Sequence, residues 1–138
     1  MPRELKVGDK VSVTRQFTDQ DVRIFADLST DHNPVHLDEA FAATTQFKQR
    51  IVHGMLVGSM FSGLIGEELP GHGSIYMTQN LNFKAPVYLN TDVTATVEIT
   101  SIREGKPIVT LKTTCTDKDG KVLIQGEAVM YVPWLKKA

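Results

Sequence analysis

The chain has 138 residues, 41% hydrophobic and 22% charged, with 15 Lys+Arg against 16 Asp+Glu for a net charge of −1. That is one domain, residues 1–138, able to bury roughly 68–70% of its unfolded surface, and too apolar for disorder. The balanced charge excludes the basic footprint of a nucleic-acid binder, and the single cysteine, Cys115, excludes an intrachain disulfide framework and a cysteine-based zinc site.

In chain order, Val11 and Val13, with Phe17 in register, predict a short strand over 9–17. Thr18 reads as a helix N-cap with Asp21 at the capping-box position, and Val22, Phe25, Ala26 and Leu28 recur at helical spacing over 19–29. Asn33 as N-cap and Pro34 at the first helical position predict a second, short helix running to about Ala43. After a polar loop over 44–50, a wide apolar face (Leu56, Val57, Met60, Phe61, Leu64, Ile65) predicts a helix from Gly54 to about Glu68. Its internal glycines weaken it by about 1 kcal/mol each relative to alanine, which fits a buried helix approached closely by a sheet.

From Ser74 onward the pattern is strand. Ile75, Met77, Gln79, Leu81 and Phe83 share one face of a first strand; Val93 to Ile99 and Val109 to Cys115 alternate in the next two. Asp117-Lys118-Asp119-Gly120 is a hairpin turn, and Val122–Val132 a last long strand. The fold class is therefore α+β: a strand, helices, one glycine-rich buried helix, then four antiparallel strands curled around it.

No segment reads as a membrane span. The most apolar stretch, 51–65, is shorter than the ~20 residues a span needs and is interrupted by His53, Ser59, Ser62 and three glycines. The N-terminal residues Met1–Lys6 carry no apolar core of the kind a leader needs. The expected location is the cytoplasm, in keeping with one unpaired cysteine.

Two places offer chemistry. Asp31, Asn33 and His36 crowd a turn into a helix. They read either as a general acid/base pair with Asn33 holding a water, or as helix caps beside a surface histidine. Gly54 opens a helix, so its N–H is either an oxyanion donor at the positive end of the dipole or an ordinary helix start. Ser62, two turns on, could face a ligand or bond its own backbone. The four histidines carry no metal-ligand spacing beyond His32 and His36, with Pro34 between them, so no metal is expected. Phosphate-cradling glycine motifs are absent.

The run Phe25-Ala26-Asp27-Leu28-Ser29-Thr30-Asp31-His32-Asn33-Pro34-Val35-His36 resembles the Gly-Asp-x-Asn-Pro-x-His signature of the MaoC-like, R-specific enoyl-CoA hydratases. His53-Gly54-Met55-Leu56 with Ser62-Gly63, then Gly73-Ser74-Ile75-Tyr76 and Asn82-Phe83-Lys84-Ala85-Pro86-Val87, are similar to later segments of that family. The resemblance spans nearly the whole chain and is closest to the short bacterial enzymes, including those that feed polyhydroxyalkanoate synthesis. The architecture read from the elements is the one called the hot-dog fold.

The resemblance implies hydration of a trans-2-enoyl thioester of coenzyme A to the (R)-3-hydroxyacyl product. Asp31 would activate water, His36 would give a proton to C2, and Gly54 N–H would hold the thioester oxygen. Asn33 and Ser62 would support the site. It implies no metal, flavin or nicotinamide (coenzyme A belongs to the substrate), and a homodimer. Ile65 and Met130 would close the acyl end, favouring short chains. A hot-dog thioesterase would need a carboxylate on the central helix, where only Glu67 and Glu68 stand near its end; a non-catalytic acyl-thioester binding module would not need the Asp31/His36 pair. Thr30 stands where the family usually has glycine, so a slightly different local turn is expected there.

Overall fold

The computed structural model describes residues 4–135. β1 (Lys10–Arg15) leads into α1 (Asp19–Ser29), α2 (Pro34–Leu37), α3 (Glu39–Ala43) and α4 (Gly54–Glu67). β2 (Ile75–Gln79), β3 (Asn82–Phe83), β4 (Val93–Ile102), β5 (Ile108–Asp117) and β6 (Val122–Tyr131) follow, with a closing 3₁₀ turn at Pro133–Leu135. All strands join one antiparallel sheet in the order β1-β4-β5-β6-β2, β3 pairing with β6 beside β2.

The alternation read in the later strands is the core itself. Val93, Ala95, Val97 and Ile99 of β4, and Val109, Leu111, Thr113 and Cys115 of β5, are all fully buried. All but Thr113 share one cluster with Val57, Met60, Phe61, Leu64 and Ile65 of α4. The buried Cys115 thiol is pushed up to about 12 by burial, which leaves it protonated and unreactive.

Four expectations change. The predicted helix over 34–43 is two, because the Asp38 backbone turns extended and its side chain accepts from Phe41 N–H (3.0 Å), capping α3 afresh. In α1, Leu28 is 80% exposed, so the buried stripe is only Val22 and Ala26, although the Thr18/Asp21 capping box forms as expected.

The single strand expected over 75–83 is two short pieces, making five strands after α4. Met77 bulges out of register, since Tyr76 pairs with Met130 and Thr78 with Val129. One inserted residue flips every later side chain to the other face. Ile75 and Gln79 therefore do not share a face, and Ile75, Met77 and Phe83 are all more than half exposed. Finally, the glycines of α4 do not all serve close approach. A Cβ at Gly54 or Gly58 would meet Phe83 (2.6 Å) or Leu81 (3.2 Å), but at Gly63 and Gly66 it would meet nothing within 4 Å.

Candidate active site

Asp31 lies in the extended segment between α1 and α2, and the turn that delivers it is strained. Thr30 caps α1 with φ 64° and ψ 16°, the left-handed conformation that glycine adopts freely and a β-branched residue resists. The turn keeps the glycine-type conformation despite the threonine, against the expectation of a different one. Thr30→Gly is therefore expected to stabilise the fold by about 1 kcal/mol, the relief of the left-handed backbone outweighing the looser unfolded chain. A urea titration checks this: the midpoint should rise at unchanged slope.

Asp31 is then fixed from several sides. Its N–H donates to Ser29 Oγ (3.1 Å), its Oδ1 accepts from the backbone N–H of Asn33 (3.1 Å), and its carbonyl accepts from Nε2 of His53 (3.0 Å). The other carboxylate oxygen, Oδ2, faces Nε2 of His36 at 4.0 Å. The Asn33 side chain is occupied as the N-cap of α2, accepting from Val35 N–H (3.1 Å); its backbone, rather than its side chain, touches the carboxylate.

His36 is not the surface residue of the plainer reading, being 8% exposed. Its Nδ1 lies 2.8 Å from the carbonyl of Ile51. A carbonyl only accepts, so the proton sits on Nδ1 and the lone pair of the neutral ring sits on Nε2, toward Asp31. Burial lowers the His36 pKa, helped by His53 beside it; the Ile51 hydrogen bond and the Asp31 charge oppose the shift without cancelling it.

Asp31, His53 and Gly54 line a cleft of about 430 Å³ whose walls include Phe47, Phe83 and Ile124. Gly54 opens α4, so no earlier turn accepts its amide hydrogen, and that N–H belongs to the same cleft as the carboxylate. The helix start thus meets the Asp31 turn across one space.

Other expected site residues lie elsewhere. Ser62 is exposed, while Ile65 and Met130 are each 1% exposed in the core; none of the three lines the cleft. Ser62 and Ile65 are three apart on α4, which separates them by about 60° around the axis, enough to straddle the boundary between core and solvent. His53 and Phe83, which carried no role in the sequence reading, both stand in the cleft. His53 had only its place beside Gly54 to mark it, and Phe83 only its place in a strand.

Asp31, His36 and His53 each offer one ligand atom, all within 4.8 Å of one another. The two imidazoles, however, stack with centroids 3.9 Å apart and planes 26° from parallel. Ligand lone pairs lie in the ring plane, so stacked rings present them side by side instead of converging on one ion. Chemically, the arrangement can pass a proton between Asp31 and His36 beside a helix-start amide.

Residues 4–120 match the family described as MaoC like domain. The chain is 52% identical to an (R)-specific enoyl-CoA hydratase of Aeromonas caviae over 95% of its own length and 98% of the relative's. It is 47% identical to an (R)-specific enoyl-CoA hydratase of Rhodospirillum rubrum, covering 94% and 90% of the two chains. Among solved structures, the unliganded R-hydratase PhaJ1 of Pseudomonas aeruginosa superposes with a TM-score of 0.88 at 43% identity, over 94% of this chain and 83% of that one.

Proposed function

Since the chain belongs to the MaoC-like domain family, with the hot-dog fold of its structural relatives, we propose that it adds water to trans-2-enoyl-CoA to give (R)-3-hydroxyacyl-CoA. The observation that carries this is the 4.0 Å opposition of Asp31 Oδ2 and His36 Nε2, with Asp31 lining the same cleft as Gly54, the first residue of α4; His36 stands behind Asp31 and is not itself a lining residue. Both atoms accept hydrogen bonds, so the substrate water can donate one hydrogen to each.

The proton balance follows from the tautomer. Neutral His36 has no proton on Nε2, so the proton it gives to C2 is one it has just received. Water oxygen bonds to C3, one water proton passes to Nε2, the C2–C3 π electrons move toward the thioester, and the Gly54 N–H holds the oxygen that gains charge. As the enolate collapses, Nε2 returns the proton to C2. Asp31 activates the water through its second hydrogen and stabilises the transient imidazolium. The dyad ends as it began, and the chemistry calls on no metal, flavin or nicotinamide; coenzyme A enters as part of the substrate.

The working form holds His36 neutral. The expected kcat/KM therefore falls with decreasing pH on an acid limb centred below the ordinary histidine value of about 6.5. Stability moves in the same sense: the unfolded chain takes up the proton first, so stability declines as pH falls from about 6.5 through the lower folded value. Rate profiles and urea midpoints across pH 5 to 8 check both.

Loss of enoyl absorbance from crotonyl-CoA, with chiral analysis of the product and thiol release followed in parallel, tests the activity. A thioesterase would release thiol without consuming the double bond. The structure favours hydration over that reading, because Glu67 lies about 20 Å along α4 from Gly54 and pairs with His72 at 2.9 Å.

Short acyl chains, of about four to six carbons, suit the site. Cleft-lining Val52, Val87 and Ile124 belong to the same filled core as Ile65 and Met130, so the inner wall offers little room to extend. Ile65→Ala or Met130→Ala is expected to raise kcat/KM for octenoyl-CoA relative to crotonyl-CoA by roughly tenfold or more, while costing about 2–5 kcal/mol of stability; a chain-length series on both variants measures it. A homodimer would cover the apolar edge formed by Ile75, Tyr76, Met77 and Phe83, all at least 39% exposed. No helix among the described residues is long and apolar enough to cross a membrane. The setting proposed is the cytoplasm, in polyhydroxyalkanoate or fatty-acid metabolism, supported by the 52% identity to a solved (R)-hydratase of A. caviae involved in PHA biosynthesis.

A further inference from the structure

We propose that His53 is a positioning residue of this reaction, holding the Asp31 backbone and the His36 ring in the geometry that the proton transfer needs. The inference rests on the hydratase reading and adds to it a residue that acts through Asp31 and His36 rather than by exchanging a proton itself.

Two features of His53 work against stability. It occupies the N-cap of α4 but makes no side-chain capping bond, where Ser, Thr, Asp or Asn would satisfy a free amide. Its Nδ1 is buried with no hydrogen-bond partner, in a residue only 2% exposed, and such an orphaned acceptor is rare in a folded interior. As a helix cap alone, Ser, Thr, Asp or Asn would serve better than this histidine.

Its contacts all lead to the site. Nε2–H donates to the Asp31 carbonyl (3.0 Å), which sits in the extended segment after the left-handed Thr30 turn and has no helical partner of its own. The ring stacks on His36 (3.9 Å between centroids, 26° between planes), setting the rotation that aims Nδ1 at Ile51 and Nε2 at Asp31. Phe25 of α1 closes on the far side, edge to face at 4.9 Å. The next residue is Gly54, whose amide shares the cleft. One imidazole thus ties together the acceptor pair and the oxyanion donor, which arrive on different elements, as outer-shell partners do for metal-bound histidines.

Three variants separate positioning from packing. His53→Phe keeps a stacking ring and removes both the donor and the orphaned Nδ1. It should lower kcat by about 10–100-fold, leave KM for crotonyl-CoA little changed, and melt no lower than wild type. His53→Gln carries an amide N–H where Nε2 stands and should recover most of the lost kcat. His53→Asn places its amide near Nδ1 instead and should not. Imidazole ¹⁵N spectra of His36 read the same effect without turnover: one neutral Nδ1–H form in wild type and His53→Gln, a mixture of tautomers in His53→Phe. Wild-type kcat and an unchanged His36 spectrum in His53→Phe would overturn the proposal, as would a rate loss that merely follows melting temperature across the variants. A wild-type protein without hydration activity would instead remove the hydratase reading, and the His36 spectra would still decide whether His53 sets that ring.

Discussion

Asp31→Asn and His36→Gln should each lower kcat by roughly 10²–10⁴ while leaving the fold in place. Asparagine keeps an oxygen for the Asn33 N–H that now bonds Oδ1 at 3.1 Å, so the turn survives and only the charge is lost. Without that charge the water is less polarised and the imidazolium formed at His36 has no partner. Glutamine at 36 cannot take up and return a proton. The two changes act on one proton transfer, so the double variant should lose much less than the product of the single losses. Steady-state hydration of crotonyl-CoA at matched pH, with melting curves as the fold control, gives the numbers. A single variant with near-wild-type kcat would take that residue out of the chemistry.

The second large effect concerns folding. Gly126 lies in β6 where the chain crosses from β2 to β3, and a Cβ there would stand 2.0 Å from the carbonyl oxygen of Asn80. That oxygen is backbone, and Asn80 is itself pinned by its N–H donating to the Glu127 carbonyl (3.1 Å). Neither side can yield without opening the sheet edge. Gly126→Ala is expected to cost more than about 4 kcal/mol, the size reserved for a forced backbone or core disruption. Gly63→Ala supplies the contrast, for an added methyl there meets nothing within 4 Å and removes a helix-weakening glycine. It should gain up to about 1 kcal/mol. Urea denaturation of the pair should give shifts of opposite sign; a mild loss at Gly126 would mean the Asn80 turn can move.

How far the sequence alone carried these conclusions depended on whether the decisive physics was local. The Thr18/Asp21 capping box, the Asn33 cap and Pro34 helix start, and the alternation of β4 and β5 are set by neighbours a few residues apart, and all were legible. The fold of β2 and β3 was not. Its phase depends on a bulge at Met77, and the Asn80 carbonyl at its break packs against a glycine some 45 residues later; alternation in a short run cannot register either. The same division runs through the site. Asp31 and His36 stand close enough in sequence to suggest each other, and Gly54 announces a helix start. The bond from His53 to the Asp31 carbonyl joins residues 22 apart, through an atom every residue possesses. No pattern of side chains could signal it. Thr30 shows the reverse case, where the sequence rule was sound and the protein accepted the strain.

The strand order has a consequence for how the chain assembles. β4, β5 and β6 are consecutive neighbours joined by short turns, so their ladders close with little loop entropy. β1 must wait, because its partner β4 begins at Val93 and its own last residue is Arg15. Nearly everything that forms the cleft lies in that long intervening stretch. During refolding, then, a three-stranded meander should acquire amide protection first, and catalytic competence should return only when the outer edge is zipped and the helices are seated. Recovered turnover would report the last event of folding, while the circular dichroism of the sheet would report an early one.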